Sequence, residues 1–387
     1  MRVLEVRERT VPISRYLDLA IAPPALTTSI VAVVVDGPGR ARPVVGYGFA
    51  SMGRFGQGGL IRERFAPRLL AAADLSRTGS GGLDPFRAWD AMMAGEKPGG
   101  HGERCVAVGA LDMALWDAAA KLEGVPLCLH LADRLPLAGK PSWTVPAYAS
   151  GGYLYRSDDL AHLTDEVRRF CGMGYTRLKM KIGSAPLGTD LGRVQAALAC
   201  LGSGAMLAVD AMNAYGRAQA LEAARQLAPF GLWWFEDPCD PLDLETHAEL
   251  AAEYSGPLGV GEAMFSAAEA RLLDRYGGLR RDRDVLLFDP VHCYGLPGYL
   301  RIIAELEQAG WDRKAFWPHG GHLFCLHLVA ALGLGGVEVN PRSFQPFGGL
   351  PDGARPDDGH VAIPEAPGIG FETRSALIGL FRELVGD

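Results

Sequence analysis

Arg177-Leu178-Lys179-Met180-Lys181-Ile182-Gly183 reads as a short strand that ends at a glycine. Side chains alternate along a strand, so Lys179 and Lys181 project to one side while Leu178, Met180 and Ile182 face the opposite layer. Two ammonium groups side by side depress each other's pKa, and partial burial adds to the effect. A lysine in such a pair moves towards the neutral form that accepts a proton. Taken alone, the stretch fits a solvated edge strand equally well. The residues around it decide.

Outward from this stretch, segments 144–148, 176–182, 206–209, 232–235, a run ending near Val260, 284–288, 314–317 and a short run starting at Val337 read as strands. Helical spacing fills the gaps at 160–171, 191–201, 218–227, 242–254, 267–273, 298–309 and 322–332. Eight strands alternating with helices over about 200 residues are what a (β/α)8 barrel requires. A doubly wound open sheet is the alternative, but no strand is followed by the GxGxxG of a nucleotide site. Residues before the barrel are α+β without this alternation. Strand-like 27–36 and 44–49 are followed by the glycine-rich loop 50–59 and a helix over 60–73. The polar segment 96–104 and a helix over 106–122 complete this part. The expected division is an α+β cap over 1–138, the barrel over 139–342, and a tail over 343–387 that rejoins the cap through an amphipathic helix at 374–384.

The 387 residues are 48% hydrophobic, enough for a sizeable core, and the formal net charge of −7 argues against a nucleic-acid partner. Seven scattered cysteines without a CxxC pair point to reduced thiols. The N-terminus lacks the apolar run of a signal peptide, and no stretch is long enough to span a bilayer. A cytoplasmic protein without a membrane partner is expected.

Barrel enzymes place their chemistry where strands run out into the following loops. The strand ends here carry Lys179 and Lys181, then Asp210, Glu236, Glu262, Asp289, His319 and Glu338. From Lys181 to His319 they are spaced at about 26–30 residues, close to one βα unit. Asp210, Glu236 and Glu262 form an all-oxygen set whose mutual repulsion a hard divalent cation relieves, with Mg2+ first and Mn2+ second. Asp289 and His319 end neighbouring strands, and a carboxylate beside an imidazole stabilises its charged form. His322 competes for this place, but its position suits the start of the next helix. Lysines facing such a dyad across a metal suit removal of a proton α to a carboxylate.

These residues, in this order and spacing, resemble the enolase superfamily in its mandelate-racemase-like branch. Val108-Gly109-Ala110-Leu111-Asp112-Met113-Ala114-Leu115-Trp116-Asp117 is similar to the helix such proteins carry before the barrel. Segments 53–65, 96–104 and Pro318-His319-Gly320-Gly321-His322 look like the D-tartrate dehydratase group. The resemblance implies one Mg2+ per site, α-proton abstraction by Lys181, and protonation of the departing β-hydroxyl by His319 beside Asp289, giving a 2-keto acid. It also implies that Lys179 and Lys97 hold substrate oxygens, with Asn213, His322 and Glu338 nearby. A small carboxylate as substrate and a homo-oligomer follow from the same resemblance. Met212 and Met52 stand where that group carries polar residues, and 15–20 and 23–24 differ from its entry loop. A racemase or epimerase using Lys181 and His319, and a Schiff-base aldolase using Lys181, are the alternatives.

Overall fold

The computed structural model describes residues 1–13, 26–37, 39, 42–77, 82–135 and 140–386. The entry-loop segments 15–20 and 23–24 and the expected 138/139 boundary lie outside these residues. The cap is built on an antiparallel sheet of β1 (Val3–Ile13), β2 (Leu26–Val35) and β3 (Val44–Phe49), in the order β1-β2-β3. The helix Glu103–Glu123 lies against it and is buried from Cys105 to Ala120. Two glycines allow this approach. A Cβ on Gly46 would fall 2.0 Å from the Ala114 carbonyl oxygen, and one on Gly48 would fall 2.3 Å from that of Ala110. Two buried aspartates on the same helix tie it to the rest of the molecule. Asp112 accepts from the Leu296 amide at 2.7 Å, while Asp117 accepts from Tyr47 at 2.9 Å and Ile369 at 2.7 Å. Each bond satisfies a buried polar group that would otherwise be costly.

The barrel strands are β4 (Thr144–Gly151), β5 (Leu178–Lys181), β6 (Leu207–Asp210), β7 (Trp234–Glu236), β8 (Leu258–Val260), β9 (Val285–Leu286) and β10 (Val337–Val339). They pair in parallel in the order β10-β4-β5-β6-β7-β8-β9. The strand expected at 314–317 is reduced to one bridge between Leu286 and Phe316. Asp312 accepts from the Lys314 amide at 2.8 Å and winds Arg313–Ala315 into a 3-10 turn, and Pro318 follows without an N–H to extend the ladder. The ring still closes there. Trp317 donates to Leu286 O at 2.8 Å and Gly335 donates to Phe316 O at 2.9 Å. Helices Pro85–Met93 and Leu127–Arg134 belong to the cap region and were not anticipated. The tail serves both parts. Strand β11 (His360–Ala362) runs antiparallel to β4, and the helix Ser375–Val385 stacks Phe381 on Tyr47 of the cap, with ring centroids 4.7 Å apart.

The two-residue period of the barrel strands positions the site. Tyr148, Ala208, Trp234, Leu287 and Trp317 form a buried apolar cluster. Two residues further along each chain stand Ser150, Asp210, Glu236, Asp289 and His319. The barrel therefore carries an aromatic floor with a polar layer directly above it.

Candidate active site

Strand register sets the polar layer. Lys181 pairs with Asp210 and Asp210 with Glu236 across β5, β6 and β7, so neighbouring strands present these side chains at one level. Lys179 is buried and would be costly unpaired. It lies 2.5 Å from Glu236 Oε1, 3.2 Å from Glu338 Oε1 and 3.7 Å from Asp210 Oδ2. Lys181 is ion-paired with Asp210. Trp234 Nε1 of the floor donates to Glu236 Oε2 at 2.7 Å, and the Met212 amide donates to Asp210 Oδ1 at 2.7 Å.

The expected push between the lysines is present at Lys181, where the Lys179 ammonium lowers the pKa, but it does not decide the outcome. Burial does push Lys181 down, but the Asp210 carboxylate outweighs it and raises the ammonium above its ordinary value. Lys179 is raised for the same reason, with Glu236 and Glu338 overcoming burial. The carboxylates that belong to the metal set supply the difference.

Asp210, Glu236 and Glu262 each offer an oxygen within 4.8 Å of the others. Burial pushes the Glu236 carboxyl up to about 8 despite Lys179, with Asp210 and Glu262 adding to the rise. The two ammonium groups thus leave this oxygen set short of positive charge, and three hard oxygens fit a divalent cation such as Mg2+.

Across the cleft, His319 Nδ1 lies 2.9 Å from Asp289 Oδ2 and its Nε2 lies 3.4 Å from Glu262 Oε2. Burial opposes the charged ring, yet Glu262, Asp289 and Glu338 push His319 up to about 10. Asp289 is held well below the carboxylate range because His292 and His319 outweigh its burial. Ser51 Oγ donates to Asp289 Oδ2 at 2.5 Å, and the Val291 amide donates to Oδ1 at 2.7 Å. These carboxylates favour the charged ring of His319, which Asp289 anchors at one nitrogen.

A cleft of about 190 Å³ opens over this layer, lined by Gly53, Arg54, Tyr153, Lys181, Asp210, Met212, Asn213, Glu262, His319, Glu338 and Phe344. Of the strand-end residues, Lys181, Asp210, Glu262, His319 and Glu338 line the cleft, while Lys179, Glu236 and Asp289 are buried in contact with them, and the remaining expected residues differ in placement. Asn213 lines the cleft, but its amide is engaged with Cys239 O at 2.8 Å. Glu338 accepts from the Gly320 amide at 3.1 Å. His322 caps the helix Leu323–Leu332 from behind Ser51, 3.2 Å from that hydroxyl, and burial pushes it down to about 4. Lys97 is exposed and lines a separate cleft beside Trp89 and Tyr294, so the structure does not bring it to the others. Ser51, Arg54 and Tyr153 were missed. They reach the site from loops, and the glycine-rich run 50–59 was the one signal that a segment folds over it.

A family model described as enolase C-terminal domain-like matches residues 162–377. The chain belongs to the enolase superfamily. The mandelate-racemase-like branch expected from the lysine strand and the carboxylate series is its place within that superfamily. Arabinonate dehydratase of Saccharolobus solfataricus is 29% identical over 299 residues, 76% of each chain. N-succinylamino acid racemase of an Amycolatopsis species is 31% identical over 350 residues, covering 87% of this chain and 83% of that one. Among solved structures, L-talarate dehydratase from Polaromonas sp. JS666, complexed with Mg and L-glucarate, is 30% identical with a TM-score of 0.70. That match covers 95% of this chain and 94% of the other. In this superfamily member the cap supplies Ser51 and Arg54 to the barrel mouth, so both parts build the cleft.

Proposed function

We propose that this enzyme dehydrates an acid sugar, removing the α-proton and the β-hydroxyl of a polyhydroxy carboxylate to leave a 2-keto acid. The observation that carries the reading is the pair of groups lining one cleft: Lys181 beside the carboxylate set, and His319 held protonated by Asp289 and Glu262. Asp210, Glu236 and Glu262 would hold a divalent cation, which when bound would supply positive charge beside the substrate carboxylate and acidify the α-C–H. Lys181, in its neutral form beside the Lys179 ammonium, accepts the α-proton. Lys179 stays charged between Glu236 and Glu338 and steadies the substrate's oxygens. His319 donates its Nε2 proton to the departing β-hydroxyl, which leaves as water, while Asp289 accepts from Nδ1–H throughout and keeps the ring oriented.

Relatives named for arabinonate and for L-talarate favour a five- or six-carbon acid ahead of D-tartrate. Met212 and Phe344 in the wall support the same ranking, because neither can hydrogen-bond a small dihydroxy diacid held on all sides. Arg54 in the same wall suits a carboxylate or hydroxyl at the far end of a longer chain. The test is a library of aldonic, aldaric and tartaric acids assayed for keto-acid formation. Turnover of at least one member, lost in EDTA and restored by Mg2+, is expected. No keto product from any member would remove the reading.

The second reading is a racemase or epimerase, favoured by the 31% identity to N-succinylamino acid racemase. It predicts exchange of the α-proton with solvent deuterium and inversion of configuration without any keto product.

A further inference from the structure

Asp289 faces two histidines. His292 is buried, and its Nδ1 lies 3.3 Å from the backbone oxygen of Glu262. Only an N–H can satisfy a carbonyl oxygen, so Nδ1 carries the proton and Nε2 presents its lone pair. Among the described residues Nε2 has no hydrogen-bond partner, and it lies 3.7 Å from Asp289 Oδ2. Two electron-rich atoms thus face each other across a buried gap, an arrangement that is costly unless something positive lies between them.

We propose that Asp289, His292 and His319 form a second metal site, suited to a borderline transition ion such as Zn2+ and separate from the carboxylate set. Each of the three offers a ligand atom within 4.8 Å of the others, and the two sets share no residue. With bonds of about 2.1 Å, the edge of a tetrahedral site is roughly 3.4 Å. The separations of 2.9 Å from Asp289 to His319 and 3.7 Å to His292 bracket that value. Two imidazoles and one carboxylate suit Zn2+, whereas three carboxylates with open positions for water suit Mg2+. Asp289 Oδ2 keeps its bond from Ser51 and exchanges the His319 N–H for the ion, so His319 gives up a proton when the metal enters. Zn2+ bound here withdraws the proton donor and slows turnover. That consequence, unlike the site itself, rests on His319 being the acid.

The test is equilibrium dialysis of Mg2+-saturated protein against Zn2+, with both metals counted, and a parallel titration with Co2+ followed in the visible. Wild-type protein is expected to hold one Zn2+ beyond its Mg2+ and to give the intense Co2+ bands of a low-coordinate nitrogen site. Losing even an outer partner of a metal ligand costs roughly 10–100-fold in affinity, so His292→Ala should weaken Zn2+ by roughly tenfold or more. Asp210→Asn should lose Mg2+ and keep Zn2+. If His292→Ala does not fold, His292→Phe keeps a ring in the space and replaces it. No Zn2+ beyond the Mg2+, or equal Zn2+ affinity in the His292 variant, overturns the site. Zn2+ bound with turnover unchanged overturns the acid role of His319 instead.

Discussion

Asp289 accepts from Ser51, from His319 and from the amides of Val291 and His292, and every one of these bonds favours its ionised form. Ser51 is the member contributed by the cap. A hydrogen bond to a charged group is worth about 1.5–3 kcal/mol, so Ser51→Ala should lower kcat by roughly tenfold or more. Steady-state kinetics on the acid sugar that turns over would measure this, and an unchanged kcat would separate Ser51 from the dyad. A second prediction concerns His327. Its Nδ1 accepts from the Cys128 amide at 3.2 Å and its Nε2 donates to Ile369 O at 3.1 Å, which fixes a neutral tautomer. Burial pushes its pKa from 6.5 to about 4. The folded state therefore binds fewer protons than the unfolded one between these values. Stability is full above pH 6.5 and is lost as pH falls towards 4, by about 3 kcal/mol for this residue. Urea unfolding at pH 7 and pH 4.5 should show that decline, and His327→Gln should flatten it.

At the scale of elements, the cap depends on the contact between β3 and the helix Glu103–Glu123. Gly48→Ala would place a methyl 2.3 Å from the Ala110 oxygen and 2.9 Å from the Ala114 nitrogen, both backbone atoms. Overpacking of this kind costs about 1–3 kcal/mol or more, so a clear fall in denaturation midpoint is expected. An unchanged midpoint would mean that the helix can move off the sheet. This interface was only partly legible. The helical period of Val108–Asp117 can be read directly, but that Asp112 and Asp117 bond to residues 184 and 252 positions away has no local signature. The barrel was more open to reading because most of its strands repeat one pattern, an apolar residue followed two later by a polar or charged one. Position 314–317 broke that reading, since Asp312 and Pro318 act on the backbone rather than on hydrophobic period. The lysine strand shows the same limit in electrostatics. Lys179 and Lys181 were readable as a pair, but the sign of their shift depends on Asp210, Glu236 and Glu338, which only folding brings within reach. Loop residues Ser51, Arg54 and Tyr153, and the exposed placement of Lys97, depend on how loops turn, which periodicity does not describe.

For the whole molecule, the carboxylate set is a liability that a ligand removes. Glu236 stays pushed up to about 8 with both lysines in place, so a cation that binds the folded state should stabilise it by mass action. At a free Mg2+ concentration one hundred times Kd, the gain is about 2.7 kcal/mol. Thermal unfolding with and without Mg2+ should show an upward shift that disappears in Asp210→Asn. On the proposed reading, the overall charge of −7 repels an acid sugar, so attraction would come from the cleft itself, from a bound cation, Arg54 and His319 together. Cap and barrel must therefore both be in place for binding as well as for chemistry.

The central claim is that Lys181 removes the α-proton and His319 expels the β-hydroxyl as separate acts in one cleft. Solvent-deuterium exchange at the α-carbon and keto-acid release, followed together in wild type, Lys181→Ala and His319→Asn with Mg2+ present, test it directly. Lys181→Ala should lose both signals, and His319→Asn should keep α-exchange while keto-acid release falls by roughly 10²–10⁴-fold. Keto-acid release undiminished in His319→Asn, or α-exchange undiminished in Lys181→Ala, would contradict the account.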